Sequence, residues 1–115
     1  MSRSITKEEW RQAQVRTEAQ LQAHVRRLCK DLDLGHFHPA YSMGNEPGYP
    51  DSTIVGPGGV VWAELKGPRG KLGPHQLLWR DRILESGNRW YLWTPADLEE
   101  IQDVLLVLSL RRPPR

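Results

Sequence analysis

Residues 51–66 read Asp-Ser-Thr-Ile-Val, then Gly-Pro-Gly-Gly, then Val-Val-Trp-Ala-Glu-Leu-Lys. Two β-branched runs around a turn-forming tetrapeptide predict a β-hairpin. If residues 56–59 form a four-residue loop, Val55 pairs with Val60, Thr53 stands opposite Trp62, and Asp51 stands opposite Glu64. Directly opposed residues bring their Cβ atoms to about 4.5–5.5 Å, and two like charges at that range are destabilising unless positive charge lies between them. Because side chains alternate along a strand, Glu64 and Lys66 project from one face while Val61, Ala63 and Leu65 project from the other. Asp51, Glu64 and Lys66 therefore converge.

The rest of the chain supplies elements that can pack on this hairpin. Thr6 with Glu9 and Thr17 with Gln20 both have capping-box spacing, compatible with one N-terminal helix or two. Leu21, Val25, Leu28 and Leu32 form an apolar stripe that ends near Gly35. A short strand is expected within residues 36–41 and a loop over 42–48. Pro74 and Gly87 bracket a helix carrying Leu77, Leu78, Ile83 and Leu84. Arg89 to Trp93 then reads as a strand. Thr94-Pro95 opens a last helix with the stripe Leu98, Ile101, Leu105 and Leu108, stopped by Pro113 and Pro114. A strand, a helix of about a dozen residues and a second strand form a right-handed βαβ unit, so the Arg89 strand should run parallel to the Val60 strand. The expected class is α/β: a mixed sheet with an antiparallel hairpin and a βαβ crossover, flanked by helices.

At 115 residues the chain suits one domain spanning 1–115, with its core over about 15–110 and a flexible Arg/Pro tail at 111–115. No apolar run approaches the roughly 18 residues of a membrane span, and the N-terminus lacks a signal peptide's apolar centre. The expectation is a cytoplasmic protein with no membrane partner and no organic cofactor. A lone cysteine, Cys29, excludes an internal disulfide and a Cys-only metal site. The formal net charge is +2, but the basic residues cluster: Arg26, Arg27 and Lys30; Lys66, Arg69 and Lys71; Arg111, Arg112 and Arg115. Such clusters suit phosphate contacts as well as a solvated surface.

Two opposed carboxylates, completed by waters and a substrate phosphate, describe a Mg²⁺ or Mn²⁺ site better than a zinc site. The backbone carbonyl of Leu65, between Glu64 and Lys66, is a further candidate oxygen. A cation there would polarise a phosphate and acidify a water, and Lys66 can orient that water or stabilise charge on phosphorus. His36 and His38 alternate along the possible strand and share a face; structural or DNA-backbone contacts outweigh a metal pair. The five tryptophans, Trp10, Trp62, Trp79, Trp90 and Trp93, are expected mostly in the core or at interfaces. Tyr49, beside Pro50-Asp51, is the aromatic best placed to meet a base.

The motifs Gly48-Tyr49-Pro50-Asp51, Ala63-Glu64-Leu65-Lys66-Gly67 and Leu72-Gly73-Pro74-His75-Gln76 together resemble the signature of the VRR-NUC family, a branch of the PD-(D/E)xK nucleases. The resemblance spans about residues 15–100. It implies a PD-(D/E)xK nuclease core in which Asp51, Glu64 and Lys66 are joined by Glu18, on the first helix, and Gln76, opening a later one. Glu18 shares the angular stripe of Leu21, Val25 and Leu28, so its carboxylate is expected to face the interior or a cleft and support the metal, in part through water. Leu65 occupies the family's variable position. Stand-alone domains of this size in the family resemble the Holliday junction resolvases of phage and bacteria. The implied activity is metal-dependent endonucleolytic cleavage of DNA in repair and recombination, on branched structures such as four-way junctions. A two-fold dimer suits the two cuts that a symmetric junction requires. Flaps, single strands or RNA are alternative substrates, and a non-catalytic nucleic-acid-binding module is the alternative from another class. Arg69, Lys71, His75 and Tyr49, with Arg26, Arg27 and Lys30, are the expected nucleic-acid contacts.

Overall fold

The computed structural model describes residues 4, 6–39 and 46–110; the basic tail and residues 40–45 of the expected strand and loop lie outside the described residues. The two N-terminal capping boxes start two separate helices. The Glu9 N–H donates to Thr6 Oγ1 at 3.0 Å and opens α1 (Lys7–Gln14), while Thr17 and Gln20 cap each other's backbone at the start of α2 (Glu18–Asp31). A short strand β1 (Gly35–Phe37) follows, then β2 (Ser52–Gly56) and β3 (Gly59–Leu65).

The hairpin has the expected register, Val55 against Val60 and Thr53 against Trp62, but Gly56 also pairs with Gly59. The turn is therefore Pro57-Gly58 alone rather than a four-residue loop. Two flanking glycines let the ladder run one pair further without shifting the register. α3 (Pro74–Glu85) crosses over to β4 (Arg89–Trp93), which pairs parallel to β3 as the βαβ rule requires. A 3-10 turn (Pro95–Asp97), capped by Thr94, leads into α4 (Leu98–Ser109). The result is an α/β fold with one mixed sheet in the order β1-β2-β3-β4, antiparallel except for the last pair.

The two sheet faces differ in chemistry. One carries Ile54, Val61, Ala63, Leu65 and Trp93, all buried against Leu21, Val25 and Cys29 of α2 and Ile101, Leu105 and Leu108 of α4. The other carries Thr53, Trp62 and Glu64, and α3 covers it in part. On that side the Trp62 indole N–H donates to Tyr49 Oη at 3.1 Å. Tyr49 Oη also lies 3.1 Å from Thr53 Oγ1, and the Tyr49 ring meets Trp79 of α3 edge-on at 5.1 Å.

This aromatic layer corrects the reading of α3. Its inward face is Gln76, Trp79 and Ile83, at i, i+3 and i+7, so Leu78 and Leu84 are 46% and 49% exposed and only Ile83 is buried. The helix is oriented by what Gln76 and Trp79 meet, not by its leucines. Trp10 also departs from expectation at 56% exposed, on α1. Among the described residues, no helix is long and apolar enough to cross a membrane.

Candidate functional site

Asp51 stands just before β2, and Glu64 is the next-to-last residue of β3. The last paired step, Ser52 with Ala63, brings Asp51 and Glu64 opposite each other at the following step. Pro50 is fully buried, and the Asp51 backbone is tied down because His38 Nδ1 donates to its carbonyl at 2.6 Å. The Asp51 carboxylate is oriented as well, since Oδ2 accepts the Leu65 N–H at 2.9 Å. Leu65, expected from the sequence to offer its carbonyl oxygen, meets Asp51 through its amide N–H, with its side chain buried in the core.

Glu64 is 3% exposed. Its Oε1 accepts from Gln76 Nε2 at 2.9 Å, and Gln76 Oε1 in turn accepts the Gly73 N–H at 2.8 Å. One side-chain amide therefore joins the start of α3 to the buried carboxylate and satisfies one of the helix's open N-terminal donors. Gly48 makes this junction possible. It has φ +81°, and a Cβ there would come within 2.3 Å of the His75 backbone carbon, so the loop preceding Asp51 touches the first turn of α3 backbone to backbone.

The Glu64 carboxyl is pushed up to about 9, first by burial and then by its hydrogen bond with Asp51 and the Asp51 charge; Lys66 and the Asp51 backbone N–H act in the opposite direction. At neutral pH, without a cation, Glu64 keeps its proton. The Lys66 backbone N–H donates to the Trp93 carbonyl at 2.9 Å, and its side-chain stem crosses Gly70, where a Cβ would lie 2.6 Å from Lys66 Cβ. A glycine at 70 keeps that path open.

Asp51, Glu64 and Gln76 line a cleft of about 250 Å³ together with Tyr49, His38 and Glu46. Asp51, Glu64 and Gln76 are brought together in this cleft, and the Lys66 charge acts on Glu64. Glu18 is not among them. It shares the angular stripe of Leu21 and Val25 and sits in the first turn of α2, although Val15, three residues earlier, is still in the core. Its neighbour is Gly67, which has no side chain to cover it, and it is exposed. The expectation of an inward-facing carboxylate is corrected for that reason, although Glu18 does lie beside the residue that follows Lys66.

Tyr49 is likewise placed in the layer between sheet and helix, with its hydroxyl and ring engaged by Thr53, Trp62 and Trp79. Arg69 and Lys71 are exposed on the loop after Lys66, and His75 is exposed at the start of α3. Arg26, Arg27 and Lys30 are exposed on α2, but Arg27 lines a different depression from the other two. His38 takes the structural role expected of it, at the edge of the cleft, while Glu46 enters the cleft unforeseen. His38 joins Asp51 by a contact between residues 13 apart, and no local pattern announces Glu46.

Among the described residues no three His, Cys, Asp or Glu side chains form a ready metal cage. Two carboxylates completed by water and substrate oxygens are a donor set that suits Mg²⁺ or Mn²⁺ and not Zn²⁺, which takes three or four protein ligands. No protein-family model matches this chain, and no curated protein matches it.

Proposed function

We propose that this chain is a nuclease of the VRR-NUC type, with a PD-(D/E)xK core, that hydrolyses DNA phosphodiester bonds using Mg²⁺ or Mn²⁺. The observation that carries the reading is the opposed pair Asp51 and Glu64. A buried carboxyl held against a second one, with Gln76 fixing its orientation, is unfavourable for folding alone and favourable for binding a hard cation. Asp51 and Glu64 would hold the metal, which when bound polarises a phosphate oxygen and lowers the pKa of a water.

The chain's own groups do the rest. The Leu65 N–H holds one Asp51 oxygen, so that carboxylate does not have to reorganise when charge arrives. Gln76 does the same for Glu64. Lys66, on the face of Glu64 and with its stem laid over Gly70, supplies a compact positive charge that can orient the attacking water or offset charge developing on the phosphate oxygens.

The substrate is DNA of branched shape, four-way junctions foremost, cut by a homodimer in the cytoplasm. The support for shape and dimer is the family resemblance, together with the small size of the domain, which favours recognition of backbone position over base edges. A cleavage panel of four-way junctions, flaps, duplex and single strands, with and without Mg²⁺ or Mn²⁺, tests the reading. Junctions should be cut in the presence of metal, and Asp51→Ala and Lys66→Ala should abolish cutting while remaining folded. Wild-type rates in either variant would remove the site assignment.

A further inference from the structure

Beside the carboxylate cleft, and sharing His38 with it, lies a second concavity of about 620 Å³ between α2 and β1. Arg26 and Lys30, one turn apart on the exposed side of α2, line it from above; His36 and His38 line it from the strand, over a floor that includes Cys29. Among the described residues that line it, the single carboxylate is Asp33, exposed just past the end of α2. The His36 and His38 rings are 6.5 Å apart, and His36 Nε2 is anchored on the buried Ser52 Oγ at 3.0 Å. His38 Nδ1 is the donor to the Asp51 carbonyl, which ties this concavity to the carboxylate cleft.

Arg26 and Lys30 thus set two positive charges over a concavity whose strand side offers two imidazole rings, against the one exposed carboxylate of Asp33. An anion with several charged oxygens is the ligand this lining suits. We propose that this concavity binds the sugar-phosphate backbone of the DNA strand as it leaves the carboxylate cleft, with Arg26, Lys30 and His36 taking phosphates and His38 at the junction of the two sites.

The assignment rests on the nuclease reading and deepens it by naming where the strand runs. It also divides the basic cluster of α2: Arg26 and Lys30 belong to the strand path, whereas Arg27 faces the depression on the α1 side together with Asp31. An extended backbone with several phosphates is the fitting ligand because the site is continuous with the cleft through His38. Lys30 and Arg26 are held one helical turn apart, which suits successive charges rather than a single ion.

The test is fluorescence anisotropy of a labelled four-way junction and a labelled single strand with the full chain in EDTA, where no cutting occurs, over a range of salt. For Arg26→Ala/Lys30→Ala, affinity at moderate salt should fall at least tenfold, and the slope of log K against log[salt] should drop by about 1.8, or about 0.9 per lost phosphate contact. Arg80→Ala, on α3 and away from both concavities, should leave both quantities at wild-type values. The double variant should melt at the wild-type temperature, since both side chains are exposed, and should keep the wild-type stabilisation by Mg²⁺. Wild-type affinity and slope in the double variant would overturn the strand path while leaving the nuclease reading intact. Inorganic phosphate binding as tightly as the oligonucleotides would overturn it in favour of a free-anion site. Salt-independent or absent DNA binding by the wild-type chain, beside normal Mg²⁺ stabilisation, would remove the nucleic-acid reading as well.

Discussion

Replacing Glu64 by glutamine tests the electrostatics of the cleft with almost no change in shape. In the fold, without metal, Glu64 is protonated up to about pH 9, while in the unfolded chain a Glu ionises near pH 4.3. Between those values the folded state carries one proton more than the unfolded state. Stability is therefore fully present below the unfolded value and is lost as pH rises through the folded one. The loss is about 1.4 kcal/mol per pH unit, or about 3 kcal/mol between pH 6 and 8. For a domain of this size that corresponds to roughly 10 °C in Tm.

The substitution Glu64→Gln reproduces the protonated state: the new side-chain oxygen can accept from Gln76, its amide can donate to Asp51, and it has no proton to lose. The melting temperature of Glu64→Gln relative to wild type, in EDTA, should rise across pH 6 to 8, with the two proteins drawing together only toward about pH 4, where the unfolded Glu is protonated as well. Mg²⁺ should replace the proton in wild type, so metal-linked stabilisation should grow with pH, by about 2.7 kcal/mol when the metal is at 100 times its Kd, and should vanish in the variant. The assay is differential scanning calorimetry over a pH series with EDTA or Mg²⁺. If the melting temperatures of wild type and variant run parallel from pH 6 to 8 without metal, Glu64 titrates normally and does not face Asp51 as a buried, opposed carboxyl.

Gly48→Ala should lower stability by roughly 2 kcal/mol, since the new Cβ meets the His75 backbone and the residue must hold a positive φ; thermal melting would show it, and an unchanged Tm would mean the loop does not sit on α3. Gln76→Ala strips the buried Glu64 of its donor and should cost roughly 1–3 kcal/mol in melting experiments, along with reduced cleavage in Mg²⁺. Leu105→Ala, in the fully buried stripe of α4, should cost roughly 2–5 kcal/mol in a urea titration, with the metal response retained at temperatures where the variant is folded. Cys29, buried on α2 with its thiol pushed up to about 11 by burial, should react with a thiol reagent at pH 7.5 only at the rate of unfolding, and fast labelling of the native protein would contradict its placement.

The sequence alone carried the local elements and the register of the hairpin. Residues 51–66 hold both strands and their turn, and strand alternation then opposes Asp51 to Glu64 even though the turn proved shorter than expected. Caps, stripes and the βαβ rule likewise placed α2, α4 and the parallel pairing of β4, because each depends on neighbours within a few residues or on chain handedness. Tertiary packing decided the remainder. Periodicity put Glu18 on the stripe of Leu21 and Val25 but could not say that its neighbour there is Gly67, which leaves it exposed. The leucines of α3 suggested an apolar face, yet the helix presents Gln76 and Trp79 inward, where Glu64 and Tyr49 meet them. His38 reaches Asp51 across 13 residues, and Arg26 parts from Arg27 because adjacent helical residues point about 100° apart and only the position of β1 determines which of them overlooks the concavity beside the cleft. Such contacts depend on how finished elements stack, and no pattern along the chain encodes that stacking locally.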